Sequence, residues 1–205
     1  MDPLALRLLP ALSRRSFVTP LRLTLAGAFL SAVSVAAFGG GHLLWGAVLF
    51  EAAFFFDCLD GKLARVRRTT SELGAFLDLL LDVVFRAAAF LALALHAFPG
   101  SRLVPVALAS VVFLESWLRI YPTRTGGGRR PLTGAVGRLK ARMARRRLVL
   151  LPSTVDLETL CLFLAPLTGR LDLVRIALVL AIVGYGGYAV LHVGRFLRPH
   201  LARSA

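Results

Sequence analysis

The chain has few cysteines and few charged residues for its length. Its two cysteines, Cys58 and Cys161, fall in separate apolar segments of the 205 residues. Neither a disulfide framework nor a cysteine metal site can be built from them. Charged residues make up only 18% of the sequence, against about 25% in an average soluble domain. Hydrophobic residues make up 57%, which excludes an intrinsically disordered chain.

Long apolar runs account for most of the remaining sequence. With a mean hydropathy of +0.73, a soluble globule of this length would have to hide more apolar surface than it can enclose. A membrane span needs about 20 residues, and six apolar segments are candidates: 21–38, 43–64, 73–98, 103–120, 155–167 and 171–191. The fifth is short and contains Pro166, so it is expected to be tilted, kinked or only partly inserted. We therefore predict an all-α integral membrane protein with six transmembrane helices in residues 21–205. The glycines at 39–41, the pair Pro99-Gly100 and Pro122 are expected to end the first, third and fourth of these helices. An amphipathic helix within residues 1–20, interrupted at Pro10, is predicted to lie on the membrane surface.

The basic residues indicate orientation. The net charge is +14, and on the predicted helix map 21 of the 25 basic residues lie on one side. Three, Arg102, Arg170 and Arg175, lie on the other, and Arg86 lies within a span. Such a split follows the positive-inside rule and argues against nucleic-acid binding. It predicts a multi-pass protein of the inner membrane with both termini in the cytoplasm. The basic loop at 126–147, amphipathic from 137 to 147, is predicted either to lie on the lipid surface or to bring some of its arginines to an anionic acceptor.

Acidic residues are concentrated in one place. Four of the seven aspartates lie between residues 57 and 82, in segments that are otherwise strongly apolar. Spacings of three and four residues put Asp57 and Asp60 on one helical stripe, and Asp78 and Asp82 on another. Because the intervening turn is short, the two helices must pack side by side. Residues 69–72 have the spacing of a capping box that would start the second helix. The two acidic stripes are therefore expected to meet near the cytoplasmic surface.

Carboxylates gathered at membrane depth need a partner. Oxygen ligands without histidine or cysteine favour hard cations such as Mg²⁺ or Mn²⁺. We expect two divalent ions, with Asp57, Asp60 and Asp78 as primary ligands and Asp82 at the second ion. Small residues on the same stripes, Gly61, Ala64 and Gly74, would let a ligand approach the helix backbone, and Arg65 offers a fork for phosphate.

These residues form the pattern Asp57-x2-Asp60-Gly61-x2-Ala64-Arg65-x8-Gly74-x3-Asp78-x3-Asp82. At all eight positions and all spacings it resembles the signature of the CDP-alcohol phosphotransferases. The resemblance implies a homodimer whose cavity faces the cytoplasm and holds a CDP-linked alcohol. It assigns Asp82 as the general base and places the diphosphate on metals held by the four aspartates. The resemblance also implies CDP contacts at Gly61, Ala64, Arg65 and Gly74. Ser71, which shares a helical stripe with Gly74, is predicted as a further CDP contact.

Departures from the family pattern bear on the acceptor. Leu21 stands where many members have the Asn of Thr-Pro-Asn, and Val83 stands where glycerol-phosphate and inositol-phosphate enzymes often carry a basic residue. Arg86 is predicted either to hold an acceptor phosphate, to neutralise Asp82, or to form a buried ion pair. Arg119 is a second candidate for the acceptor phosphate. Asp156 and Glu158 are either acceptor contacts or favourable charges at a helix start.

The predicted activity is a metal-dependent phosphatidyl transfer in phospholipid synthesis. The donor would be CDP-diacylglycerol, the acceptor a small polyol or polyol phosphate, with glycerol phosphate and inositol phosphate favoured, and CMP would leave. One alternative is transfer from a soluble CDP-alcohol to a lipid. A non-enzyme alternative is an ion or proton transporter that uses intramembrane acids, for which Glu115 would be the most useful.

Overall fold

The computed structural model describes residues 2–13, 15, 17–124 and 153–201. Within these residues the chain is helical, and the prediction of an all-α fold is confirmed. The predicted basic stretch at 126–147 lies outside them. The elements in chain order are α1 (Asp2–Ser13), α2 (Pro20–Gly39), α3 (Leu43–Val66), α4 (Glu72–Ala97), α5 (Leu103–Arg124), α6 (Thr154–Glu158), a π-helical turn (Thr159–Leu164), α7 (Ala165–Leu167) and α8 (Leu171–Leu201).

Three helices in the described part of the chain are long and apolar enough to cross a membrane. They cover Pro20–Gly39, Leu103–Ile120 and Leu171–Gly194. Helices α3 and α4, at 24 and 26 residues, have sufficient length but carry the acidic and basic residues of the motif. Residues 154–167 form a helical segment shorter than the roughly 20 residues that a span requires.

Glycine and proline mark the helix ends less strictly than predicted. The first span does end at the glycine run, where Gly41 adopts φ +80 next to His96. Two predicted breaks are wrong: α1 continues through Pro10 to Ser13, and α5 continues past Pro122 to Arg124. A proline removes one backbone donor and bends a helix, but the helix can continue on either side of it.

The helix of residues 154–167 changes its winding in the middle. Between Glu158 and Ala165 the backbone is π-helical, and the Ala165 N–H donates to the Leu160 carbonyl, five residues back. Pro166 follows at once and has no N–H to donate. A single wide turn of this kind occurs often at functional sites.

The turn between α3 and α4 is capped differently from the prediction. Ser71, not Thr69, is the N-cap of α4, and its hydroxyl accepts from the Gly74 N–H at 3.0 Å. The predicted capping box at 69–72 is therefore wrong, because an N-cap residue directly precedes the helix and α4 begins at Glu72. A reciprocal capping box is present at the start of α6, between Ser153 and Asp156.

Arg68 in this turn has φ 55, in the left-handed region that an L-residue occupies at a cost of roughly 1–2 kcal/mol. It follows the C-cap of α3, where glycine is usual. Arg68→Gly is expected to raise the free energy of unfolding by up to about 1 kcal/mol, measured as a higher midpoint of thermal unfolding in detergent. Thr69→Gly serves as the control, and an equal or lower midpoint for Arg68→Gly than for wild type would contradict the prediction.

Packing of the helices places the motif between two apolar clusters. The larger one surrounds Phe38, Phe90 and Tyr185, and the smaller one joins α1 to α2 and α3 through Leu9, Leu23, Leu59 and Leu63. Arg67, at the end of α3, reinforces the smaller cluster: its guanidinium donates to the carbonyls of Leu12, Ser13, Arg15 and Val18 at 2.5 to 3.1 Å. Arg67 thereby attaches α1 to the C-terminal end of α3, which is predicted to lie on the cytoplasmic side.

Candidate active site

The helix pair α3 and α4 brings three of the four motif aspartates together. Carboxylate oxygens of Asp57, Asp60 and Asp78 all lie within 4.8 Å of one another. Asp60 is buried, Asp78 is half-buried and Asp57 is partly exposed. The two acidic stripes read from the sequence thus face each other across the pair. Like charges this close repel unless a cation or a proton intervenes.

Asp60 is fixed by a residue of α2 that sequence reasoning missed. The Thr24 hydroxyl lies 2.5 Å from Asp60 Oδ2 and 3.1 Å from the Pro20 carbonyl. Thr24 begins a stripe of small and polar residues with Gly27, Ala28 and Ser31, at spacings of three, four and seven. That spacing was the available signal, because a polar stripe on an apolar span indicates a face that avoids lipid.

Asp78 supplies the test of whether a cation fits. Its Oδ1 is buried and has no hydrogen-bond partner within the described part of the chain. A buried carboxylate oxygen without a partner is unfavourable, and a cation would satisfy it. The surrounding donors are carboxylate oxygens, with Thr24 as the neighbouring hydroxyl, which suits a hard divalent ion. The residues present therefore fit Mg²⁺ or Mn²⁺.

Asp82 lies one turn beyond Asp78 on α4, in a different environment. Its Oδ2 is ion-paired with Nη2 of Arg86, and its side chain is 39% exposed. Arg86 is buried, and its Nε contacts Glu158 Oε1 at 3.1 Å. Its third nitrogen, Nη1, is 3.4 Å from the Ser116 hydroxyl. Of the roles predicted for Arg86, the geometry favours the buried ion pair that includes Asp82.

Glu158, predicted either as an acceptor contact or as a favourable charge at a helix start, lines this cavity next to Arg86. Its Oε1 also accepts from the Tyr185 hydroxyl at 3.2 Å. Tyr185 is fully buried and packs edge-on against Phe90, with ring centroids 5.7 Å apart. The pairing of Glu158 with Arg86 was not predicted, because the two residues are 72 positions apart in the chain.

The aspartates, Thr24, Arg86 and Glu158 line one cavity. The lining combines the four aspartates with the small stripe of α2, aromatic rings, and the pair Arg86 and Glu158; its members are Thr24, Gly27, Ala28, Ser31, Phe50, Ala53, Phe54, Asp57, Asp60, Asp78, Leu81, Asp82, Phe85, Arg86 and Glu158. A lining that contains both acidic and apolar groups suits a ligand with a polar head and an apolar tail.

The remaining motif residues lie outside this lining. Gly61, Ala64 and Arg65 occupy the last turns of α3, where Arg65 is exposed. A Cβ added to Gly61 would meet only Arg65 Nη2, at 3.8 Å, whereas one added to Gly74 would lie 2.9 Å from Ser71 Oγ. The helix start of α4 therefore requires the glycine at 74, while nothing in the described fold requires the one at 61.

The second acceptor candidate, Arg119, also lies apart from the cavity lining. Its Nη1 donates to the Thr154 hydroxyl at 3.2 Å, which links α5 to the start of α6. Asp156, which was weighed as an acceptor contact, accepts from the Ser153 N–H at 2.6 Å and from its hydroxyl at 2.8 Å. It closes the capping box, so its position is explained by the helix start.

Comparison with known proteins adds sequence evidence. The family model described as CDP-alcohol phosphatidyltransferase matches residues 16–185. The phosphatidylinositol phosphate synthase of Streptomyces avermitilis is 33% identical over 132 residues, 64% of this chain and 54% of that protein. The enzyme of the same name from Mycobacteroides abscessus is 34% identical over 112 residues, 54% of this chain and 49% of that protein. The chain thus spans about half the length of these curated relatives.

A solved structure supports the fold over a longer stretch. Mycobacterium tuberculosis phosphatidylinositol phosphate synthase (PgsA1), crystallised with CDP-DAG bound, superposes with a TM-score of 0.67 at 19% identity. The match covers 94% of this chain and 90% of that one. At that identity the likeness concerns the fold.

Proposed function

The chain belongs to the CDP-alcohol phosphatidyltransferase family, and we propose that it transfers the phosphatidyl group of CDP-diacylglycerol to inositol phosphate, with release of CMP. The observation that carries this proposal is the set of aspartates gathered in the lining of a partly apolar cavity. A diphosphate needs the cation that such a set can bind, and the acyl chains of a lipid need the apolar wall and the bilayer.

The choice of acceptor draws on the relatives. The sequence predicts a phosphorylated polyol, and the relatives from Streptomyces avermitilis and Mycobacteroides abscessus are both phosphatidylinositol phosphate synthases. Glycerol phosphate is the other candidate. Arg119 stays the proposed contact for the acceptor phosphate, since the one hydrogen bond described for its guanidinium goes to a neutral group, the Thr154 hydroxyl.

The proposed reaction is a displacement at phosphorus. The acceptor hydroxyl gives its proton to the Asp82 carboxylate. Its oxygen then forms a bond to the phosphorus that carries diacylglycerol, and the bond from that phosphorus to the bridging oxygen of the diphosphate breaks. CMP leaves with the electron pair of the broken bond. Arg65, exposed at the end of α3, is the proposed cation for the phosphate of the nucleotide.

Asp57, Asp60 and Asp78 are the proposed holders of a divalent ion, and Thr24 orients Asp60 among them. When bound, Mg²⁺ or Mn²⁺ would supply positive charge to the diphosphate oxygens. A second ion at Asp82, as the motif predicts, would share that carboxylate with Arg86.

The membrane arrangement follows from the same proposal. Six spans in the inner membrane, both termini in the cytoplasm and a site open to the cytoplasm would place the acids where soluble acceptors arrive. The surface helix would be α1, held at the end of α3 by Arg67. A homodimer is expected from the family resemblance.

The decisive experiment is a CMP-release assay with the full chain in detergent micelles. CDP-diacylglycerol and Mg²⁺ or Mn²⁺ would be combined with inositol phosphate, glycerol phosphate, inositol or serine. We expect release with inositol phosphate and a lipid product that retains the acyl chains. Release from a soluble CDP-alcohol only, or cation movement across vesicles without CMP release, would contradict the proposal.

Gly61→Ala tests whether the donor approaches the helix backbone. The added methyl group makes one ordinary van der Waals contact, with Arg65 Nη2 at 3.8 Å, and favours the helix by up to about 1 kcal/mol. If the donor packs against this backbone, a misplaced methyl costs about 1–3 kcal/mol, and KM for CDP-diacylglycerol is expected to rise about 10-fold. Gly186→Ala, where the added methyl group has no neighbour within 4 Å, is the matched control. Equal donor KM in both variants would exclude the contact.

A further inference from the structure

We propose that Glu158 is a positioning residue, which acts through Arg86 to hold the Asp82 carboxylate in the cavity. The inference rests on the proposed function, in which Asp82 takes the proton of the acceptor. It goes beyond the aspartate motif, because Glu158 comes from a different part of the chain. Three consecutive contacts carry it: Tyr185 to Glu158, Glu158 to Arg86, and Arg86 to Asp82.

The Arg86 guanidinium is shared among Asp82, Glu158 and Ser116. An unopposed Arg86 could bind Asp82 through two parallel hydrogen bonds, which is the usual geometry of an arginine and a carboxylate. Here Nε is taken by Glu158 at 3.1 Å and Nη1 lies 3.4 Å from Ser116. Only Nη2 reaches Asp82, and it reaches a single oxygen, Oδ2. The Oδ1 atom stays outside this ion pair, and in the proposed reaction it is the oxygen that takes the proton of the acceptor.

Arg86 and Glu158 are buried, whereas Asp82 is partly exposed. The side chains of Arg86 and Glu158 are 7% and 8% exposed, while that of Asp82 is 39% exposed. A buried guanidinium requires a charged partner, and Glu158 provides one within the protein. Arg86 is therefore fixed from the buried side, and Asp82 can face the cavity without being the sole partner of the cation.

Glu158 is itself held in place by Tyr185. The Tyr185 hydroxyl lies 3.2 Å from Glu158 Oε1 and 3.3 Å from the Thr154 carbonyl. The Ser116 hydroxyl donates to the Val112 carbonyl at 2.8 Å, so it meets Arg86 as an acceptor. Side chains from α5, α6 and α8 thus surround one guanidinium of α4. A rigid second layer of this kind orients a reacting group.

The test is a kinetic comparison of Glu158→Gln with wild type in the CMP-release assay. Glutamine keeps the shape and can still accept from Tyr185, but it removes the charge that holds Arg86. We expect kcat to fall about 10-fold to 100-fold, as when an outer partner of a site ligand is lost, while KM for inositol phosphate stays within about twofold. Tyr185→Phe should give a smaller loss in kcat, about twofold to tenfold.

A double variant separates positioning from general weakening of the fold. If Glu158 acts through Arg86, Arg86→Gln with Glu158→Gln should be about as slow as Arg86→Gln alone. Asp172→Asn, which breaks the exposed pair with Arg175, is the control and should keep the wild-type kcat. Thermal unfolding in detergent reports any loss of fold in each variant.

The outcomes divide clearly. The inference is overturned if Glu158→Gln keeps the wild-type kcat, or if the effects of Arg86→Gln and Glu158→Gln on kcat are independent in the double variant. It is also overturned if Glu158→Gln raises only KM for inositol phosphate, which would make Glu158 an acceptor contact. If the wild-type chain releases no CMP from CDP-diacylglycerol with any acceptor, the proposed function fails, and the inference fails with it. The first group of results leaves the proposed function intact.

Discussion

Asp82→Asn is expected to lower kcat for CMP release by about 10²-fold to 10⁴-fold, the range that a general base contributes. Asparagine has the shape of the carboxylate, but its amide cannot take a proton from the acceptor hydroxyl. Asp57, Asp60 and Asp78, which are proposed to hold the first cation, are unchanged in this variant, and only the second ion proposed at Asp82 loses a ligand. Donor affinity should therefore change by only a few-fold. Single-turnover CMP release and calorimetric titration with CMP measure the two quantities separately.

Two observations would contradict this expectation. Near-normal turnover in Asp82→Asn would show that Asp82 is not the general base. An equal loss of CMP affinity and turnover would make Asp82 part of the donor site instead. Glu51→Gln is the matched control for a charge change in the hairpin, since Glu51 lies on α3 but outside the cavity lining; it should behave as wild type.

Asp57→Asn is expected to act through the cation. Loss of one carboxylate from the group within 4.8 Å lowers the negative charge that attracts a divalent ion. The Mg²⁺ concentration for half-maximal rate should rise by about 10-fold to 100-fold or more, since loss of even an outer partner of a metal ligand lowers metal affinity by about that factor. Cation-dependent CMP binding should weaken in parallel.

Rescue by excess cation distinguishes this variant from Asp82→Asn. Raised Mg²⁺ or Mn²⁺ should restore part of the activity of Asp57→Asn and none of that of Asp82→Asn. Removal of divalent ions by a chelator should abolish wild-type activity, and their return should recover it. Full activity of the wild type in the presence of chelator would refute the cation proposal for the whole cluster.

The sequence predicted the local part of the site well for a physical reason. Asp57, Asp60 and Asp78 belong to one helical hairpin, so helical periodicity and a short turn are sufficient to bring them together. The glycine run that ends α2 at Gly39 was equally readable, because glycine ends helices by backbone geometry alone.

What the sequence could not supply came from distant packing. Thr24 reaches Asp60 across 36 positions, and Glu158 reaches Arg86 across 72. No periodicity connects residues on separate helices, so an isolated threonine and a glutamate near a helix start have no visible partner. The wrong breaks at Pro10 and Pro122 have another cause, since a local preference was treated as stronger than the packing and hydrogen bonds of the whole helix.

The π-helical turn at Thr159–Leu164 has a consequence for comparing this chain with others. One residue removed from that turn would restore ordinary winding, and each residue of an α-helix corresponds to about 100° of rotation. The preceding part of the helix, with Glu158, would then swing away from Arg86. A glutamate at the corresponding alignment column of another sequence therefore does not imply the same ion pair, unless the extra residue that widens the helix is also present.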